Sequence, residues 1–181
     1  MDQSREALLD FWFREIDPVQ WWRVDPAFDA LIRERFLALH AKAASGELSA
    51  WRTTARGRLA EIIVLDQFSR NMFRGTPAAF AQDGMALVLA QEAVAASVHE
   101  ALTDVERGFL LLPYMHSESC AIHVEAERLY RNHALPQNHE FELKHKAIID
   151  RFGRYPHRNA ILGRESSAEE IEFLKRPGSG F

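Results

Sequence analysis

The chain has 181 residues, the length of one ordinary domain and enough to bury a sizeable core without disulfides or metals. Its 47% apolar and 27% charged residues are typical of a globular protein, and its formal net charge of −4 argues against sequence-independent nucleic-acid binding. The single cysteine excludes a disulfide within the chain and a cysteine-rich zinc site.

Two residue counts add detail. There are 25 alanines, which favour helices, and 18 arginines against 4 lysines. The arginine excess reflects either a coding bias or guanidinium groups that bind carboxylates or phosphates through two hydrogen bonds. The longest apolar runs are far shorter than the roughly 20 residues that span a bilayer, and no secretory signal is visible. We therefore expect a cytoplasmic protein with no membrane partner.

Helix signals begin at the first residues. Ser4 is a candidate N-cap for a first helix, which the dipeptide Asp17-Pro18 ends because the residue before proline avoids helical backbone angles. Asp25-Pro26 combines an N-cap with a proline at the first helical position, so it predicts a second helix that stops near Gly46.

The middle of the chain continues this pattern. Thr54 caps a longer helix that reaches about Ser69 or Met72. Residues 75–77 break the chain before a further helix that ends near Val98.

The next signals predict three more helical segments. Thr103 or the following residue caps a segment that Pro113 interrupts or kinks. Another helix is predicted over 116–133, and a further one over 140–152 is closed by Gly153.

The C-terminal part is irregular before a last helix. Residues 154–164 contain proline and glycine, and Ser167 with Glu170 forms a capping box that opens the final helix. Residues 176–181 look like a loose tail. With about eight helices and no convincing strand, residues 1–181 are predicted to form a single all-α domain.

The segment from Asp66 to Arg74 is the first candidate site. In a helix, Asp66 and Arg70 lie four residues apart and can pair, while Gln67, Asn71 and Arg74 share one face. The segment is either a ligand-binding surface or a solvated helix face whose last arginines meet free carbonyl groups.

A second candidate follows Pro113. His116 and Glu118 are an acid–base pair in one interpretation; in the other, His116 or Ser117 caps a helix and Glu118 favours its dipole. His116, Cys120 and His123 share a helical face that could ligate zinc, but this is a weak pattern without a further ligand, and no metal is predicted.

The third candidate is the irregular stretch near the C-terminus. It carries Arg154, His157, Arg158, Asn159 and Arg164. Guanidinium groups bind carboxylates or phosphates in a fork, and loops often carry function. The stretch is an anion site, a buried arginine network that ties the C-terminal segment to the core, or both.

Two of these segments resemble each other. Residues 70–75 and 158–163 both read Arg-Asn, then three residues, then glycine. The similarity is short enough to be chance, or it reflects two similar helix ends that face each other across a groove.

The same motifs resemble a bacterial family catalogued as domain of unknown function nine-two-four. The resemblance covers nearly the whole chain. It rests on segments 10–13, 21–22, 25–29, 65–68 with 70–71, Pro113 with 116–118, 152–159 and 162–166. It implies a fold similar to tetratricopeptide arrays, with stacked antiparallel helix pairs and a concave surface. It also implies no activity, leaves Cys120 and His123 outside the motifs, and shows a departure at Ser69, where the family usually has proline.

Three functions follow as alternatives. The first is a binding module for a small anionic ligand or a peptide carboxylate, lined by the arginines and asparagines above, with Trp21, Trp22 and Tyr155 as walls. The second is a purely structural polar network, in which case the function lies in a surface that binds a partner.

The remaining alternative is an enzyme, a hydrolase or isomerase acting on a small anionic substrate. His157 or His116 would be the acid or base, and Glu118 or Asp66 would orient it. No glycine-rich phosphate loop or dinucleotide fingerprint is present, so no cofactor is predicted.

Overall fold

The computed structural model of the chain describes residues 5–180, and every regular element in that range is helical. The α-helices in chain order are α1 (Arg5–Asp10), α2 (Pro26–Ala44), α3 (Ala55–Ile63), α4 (Ser69–Met72), α5 (Asp83–Ala95), α6 (Asp104–Met115), α7 (Cys120–His133), α8 (Pro136–Phe152) and α9 (Ala168–Leu174). The prediction of an all-α protein is therefore confirmed. The proposed cap at Ser4 lies outside the described residues.

Side-chain caps start four of the helices as predicted. The Asp25 carboxylate accepts hydrogen bonds from two amides at the start of α2, and Thr54 accepts one from the Gly57 amide. Thr103 forms a capping box at α6, and Ser167 forms one with Glu170 at α9. Each side chain satisfies amides that the first turn of a helix leaves without a partner.

Three predicted boundaries are wrong. Helix α6 continues through Pro113 to Met115, so of the two predicted alternatives the interruption is wrong. Proline removes only its own amide donor, and the remaining hydrogen bonds of the helix hold the last turn. The following helix begins at Cys120 rather than at 116, so neither His116 nor Ser117 caps it. Helix α8 begins at Pro136, not at 140, because proline fits the first helical position.

A π-helical turn, Val64–Phe68, joins α3 to α4, so one helix runs from 55 to 72. All five of its residues are buried, including Asp66 and Gln67. A wider turn of this kind is frequent at functional sites. It places a carboxylate and an amide inside the protein.

The described residues form two hydrophobic clusters. The larger contains the buried faces of α2, α3, α5, α6 and α7, with an aromatic group around Trp12 and Phe68. The smaller contains Ile148, Ile149 and Tyr155, packed against Phe152 and Phe173. No helix of residues 5–180 has the length and apolar character needed to cross a bilayer.

Candidate functional site

A cleft of about 360 Å³ opens between α5, the C-terminal end of α6 and the 3₁₀ turn Pro156–Arg158. Its apolar wall includes Phe80, Leu87 and Leu162. Its polar lining consists of Asp83, His116, Ser117, Glu118 and Arg158. The volume is at the lower end of the range for small-molecule pockets.

The deepest polar contact joins Asp66 to His116. Asp66 Oδ1 lies 2.7 Å from His116 Nδ1, and the Asp66 side chain is only 1% exposed. The Gln67 amide donates to the other carboxylate oxygen of Asp66 at 2.5 Å. The predicted pair with Arg70 is present, with Arg70 Nη1 at 2.9 Å from Asp66 Oδ1.

The protonation states in this contact follow from its surroundings. Burial opposes ionisation of Asp66, but the charge of Arg70 and the hydrogen bonds from His116 and Gln67 outweigh it and hold the pKa of Asp66 well below its usual range. Burial and the charge of Arg70 lower the pKa of His116, against the opposing effect of Asp66. His116 is therefore neutral at pH 7. Because the ionised Asp66 only accepts, the imidazole proton sits on Nδ1, and Nε2 carries the lone pair.

Three side chains hold the backbone around His116. Tyr155 donates its hydroxyl proton to the Met115 carbonyl at 2.5 Å, and Arg158 Nη2 donates to the His116 carbonyl at 3.0 Å. The His123 ring lies with Nε2 at 2.9 Å from the Ser117 carbonyl. These carbonyls lie at or just beyond the end of α6, where the helix itself supplies no donors. The position of His116 is therefore fixed by residues far away in the sequence.

Asp83 brings two arginines together at the cleft. Arg70 binds its carboxylate through two hydrogen bonds of 2.9 and 3.1 Å. Arg158 Nη1 donates to Asp83 Oδ2 at 3.2 Å. The two similar segments noticed in the sequence, 70–75 and 158–163, thus meet at one carboxylate. Asp83 itself is a site residue that sequence reasoning missed, because a lone aspartate near a helix start carries no distinctive signal.

Arg158 differs from the other arginines of the motifs. Its side chain is 7% exposed, and its guanidinium lies 4.6 Å from the centre of the Phe80 ring and 4.7 Å from that of Tyr155. Its Nε has no hydrogen-bond partner within the described part of the chain. Burial and the charge of Arg70 lower its pKa, although a guanidinium remains charged. Arg158 is thus a buried cation at the cleft with hydrogen-bonding capacity left over.

The predicted residues Glu118, Arg164 and Asn159 form a closed network. Arg164 donates to both carboxylate oxygens of Glu118 at 2.6 and 2.9 Å, and to Asn159 Oδ1 at 2.9 Å. Glu118 also accepts from the Tyr155 amide at 2.7 Å. Arg154 binds Glu170 through two hydrogen bonds of 2.7 and 2.8 Å. These contacts tie the C-terminal segment to the rest of the protein.

Four further residues of the predicted site lie away from the cleft. Asn71 and Arg74 both bind Asp29 of α2, and neither lines the cleft. Trp21 and Trp22 pack around Phe109 and do not line the cleft either.

His157 lies beside Tyr155, with ring centres 5.6 Å apart, and is not among the residues that line the cleft. Burial and the charge of Arg158 lower the pKa of His157 to about 4. Of the sequence-predicted histidines, His116 is the one that lines the cleft.

Metal ligation finds no geometric support in residues 5–180, where no group of three or more suitable side chains is arranged to hold an ion. His123, considered as a zinc ligand, instead lies 2.7 Å from Glu142 Oε1 in a fully buried pair.

The cleft is balanced in charge. The carboxylates of Asp66 and Asp83 face the guanidiniums of Arg70 and Arg158, while His116 is neutral. Such a site offers one neutral base, Nε2 of His116, beside one cation whose Nε–H has no partner in residues 5–180.

Comparisons with known proteins found a matching family and a similar solved structure. The profile of a family described as "Bacterial protein of unknown function (DUF924)" matches residues 8–178. A solved structure of a protein of unknown function from Agrobacterium tumefaciens is 37% identical, with a TM-score of 0.89. The match covers 94% of this chain and 96% of that chain. No curated protein shows significant similarity.

Proposed function

We propose that this chain, which belongs to the DUF924 family of bacterial proteins, binds a small anionic molecule in the cleft beside α5 and α6. The observation that carries the proposal is Arg158, a buried guanidinium that lines the cleft and has an N–H group without a partner in residues 5–180. Buried polar groups are normally hydrogen-bonded, and a guanidinium suits a carboxylate or phosphate.

The other arginines of the site already have carboxylate partners, which leaves Arg158 as the candidate to bind an anion. The Arg70 guanidinium binds Asp66 and Asp83, and the Arg164 guanidinium binds Glu118 and Asn159. Arg158 shares Asp83 through one hydrogen bond of 3.2 Å, and Asp83 keeps both bonds to Arg70 if that bond is exchanged. An anion that replaces Asp83 at Arg158 therefore removes only this one hydrogen bond from the network.

The apolar wall indicates the rest of the ligand. Phe80, Leu87 and Leu162 suit a hydrocarbon or aromatic body, so benzoate, phenylacetate and 2-oxobutyrate are suitable probes, with inorganic phosphate as a purely charged one. The limited volume favours a small molecule over an extended peptide.

The experiment is calorimetric titration and thermal shift with these probes. A ligand at 100 times its Kd stabilises the protein by about 2.7 kcal/mol. We expect Arg158→Met to abolish binding and Arg151→Met, an exposed arginine paired with Glu169 away from the cleft, to preserve it. Leu87→Trp, which fills the cleft without touching the polar network, is expected to block binding as well. Equal affinity in wild type and both cleft variants would disprove the proposal.

A second candidate function, an acid–base enzyme, is favoured by the contact between Asp66 and His116 described above. A histidine oriented by a buried carboxylate and facing a cleft is an arrangement suited to proton transfer.

The finer architecture is also a proposal. Helices α6, α7 and α8 are consecutive, are joined by connections of only a few residues and pack against one another. Short connections favour antiparallel neighbours, which supports a tetratricopeptide-like stack.

A further inference from the structure

His116 presents one nitrogen to the protein and the other to the cleft. Nδ1 is fixed at 2.7 Å from Asp66 Oδ1, and the carbonyl of His116 is bound by Arg158. The side chain is 16% exposed and lines the cleft, and Nε2 has no hydrogen-bond partner among residues 5–180. A base needs this geometry, in which one nitrogen is anchored and the other has an accessible lone pair.

Arg158 lies next to this base. Its Nη2 contacts the backbone of His116, and its guanidinium lines the same cleft. Glu118, the other titratable group at this end of the cleft, is occupied by Arg164 and the Tyr155 amide. The cleft therefore combines one neutral base with one cation that has an unpartnered N–H within residues 5–180.

We infer that the cleft catalyses enolisation of a small 2-oxo carboxylate, with His116 as the base and Asp66 as the residue that positions it. The inference rests on the proposed binding of an anion by Arg158. A 2-oxo carboxylate presents a carboxylate oxygen and a carbonyl oxygen in one plane, and this pair matches the fork of a guanidinium.

The reaction uses only groups that the cleft contains. Nε2 of His116 takes a proton from the carbon next to the carbonyl, and the electron pair of that C–H bond forms a C=C bond. The carbonyl π pair moves to oxygen, where Arg158 stabilises the negative charge. Return of the proton to carbon restores the oxo acid. Nothing is oxidised or reduced, and no leaving group has to be protonated.

The test is exchange of the C3 protons of 2-oxobutyrate in D₂O, followed by ¹H NMR. Because the proton on Nε2 exchanges with solvent, each cycle replaces a C3 proton by a deuteron. We expect the wild-type protein to accelerate the exchange at least tenfold over buffer. General bases contribute roughly 100-fold or more, so His116→Gln is expected to return the rate to background.

Two variants serve as controls for this test. His133→Gln, at the end of α7 and away from the cleft, is expected to keep the wild-type rate. His116→Gln is expected to retain binding of 2-oxobutyrate in the thermal-shift assay, since Arg158 is unchanged.

The outcomes separate this inference from the proposed function. Binding of 2-oxobutyrate without faster exchange, or exchange that survives His116→Gln, overturns the enolisation and leaves the anion site intact. Failure of 2-oxobutyrate to bind overturns the substrate class, while benzoate, phenylacetate and phosphate still decide the proposed function.

The role of Asp66 has its own readout. Among the charged groups that act on His116, Arg70 lowers its pKa, and Asp66 and Asp83 raise it. Asp66→Asn removes one of the raising charges, so the midpoint at which exchange falls in acid is expected to move to lower pH, together with a slower rate. A purely structural role would reduce the melting temperature and leave that midpoint unchanged.

Discussion

Arginines of the same sequence motifs have different roles in this protein, because their partners differ. Arg164 and Arg154 are bound by carboxylates through two hydrogen bonds each and hold the C-terminal segment. Arg158 lies against two aromatic rings and has a buried Nε–H without a partner in residues 5–180. A residue's type shows what it can bind; only its neighbours show whether it is available.

Substitution of Tyr155 measures how much its hydrogen bond to the Met115 carbonyl contributes to stability. We expect Tyr155→Phe to lower the free energy of unfolding by about 1–3 kcal/mol, because it leaves the buried Met115 carbonyl without its donor. The matched control is Tyr114→Phe, because the hydroxyl of the buried Tyr114 has no hydrogen-bond partner within residues 5–180. Urea denaturation measures both variants, and equal stability of the two would contradict the expected role.

At the scale of elements, the continuous helix 55–72 builds the floor of the site. Its π-helical turn buries five consecutive residues, and two of them, Asp66 and Gln67, are polar. The start of this helix lies against the 3₁₀ turn Ser49–Thr53, where Gly57 leaves no room for a side chain. The helix is positioned at its start by the close contact of Gly57 with the backbone of Trp51, and farther along by the buried π-helical turn.

Gly57→Ala and Gly84→Ala form a matched pair on two helices. A Cβ at Gly57 would lie 1.9 Å from the backbone oxygen of Trp51, so the chain must shift, and we expect a loss of at least about 2 kcal/mol. A Cβ at Gly84 meets nothing within 4 Å, so this variant is expected to be neutral or more stable by up to about 1 kcal/mol. The midpoint of urea unfolding is the measurement; a tolerated Gly57→Ala would contradict the packing described here.

At the scale of the whole molecule, burial of histidines links stability to pH. Burial lowers the pKa of His145 to about 3, and burial with the charge of Arg158 lowers that of His157 to about 4. The pKa values of His40, His99 and His116 are lowered as well, with burial as the largest cause. Below the ordinary histidine pKa, the unfolded chain therefore binds more protons than the folded protein.

Stability is expected to fall as the pH drops from 6.5 towards 5. Since each pKa unit corresponds to about 1.4 kcal/mol, His145 and His157 would each cost about 2 kcal/mol at pH 5. Thermal unfolding at constant ionic strength between pH 7.5 and 5 measures the effect. His145→Asn, whose amide can still donate to the Phe141 carbonyl, is expected to flatten the curve. A melting temperature independent of pH over this range would rule the linkage out.

Several local features were predictable because they depend on neighbouring residues. The caps at Asp25, Thr54, Thr103 and Ser167 satisfy amides two or three residues away, and the pair of Asp66 with Arg70 spans a single turn. The start of α8 was misplaced because a proline can stand either before a helix or at its first position. The start of α7 was misplaced because contacts with other elements hold the backbone of His116 and Ser117 outside the helix.

By itself, the sequence determined the all-α class, the family, most helix starts and the short list of polar residues from which the site is built. Its predictions of a single domain and of a cytoplasmic location stay predictions. Only the tertiary structure decided which of those residues meet, because the contacts of Asp66 with His116 and of Asp83 with Arg158 join residues 50 and 75 positions apart. Local periodicity carries no information on such distances, so the cleft emerges only when packing brings the helices together.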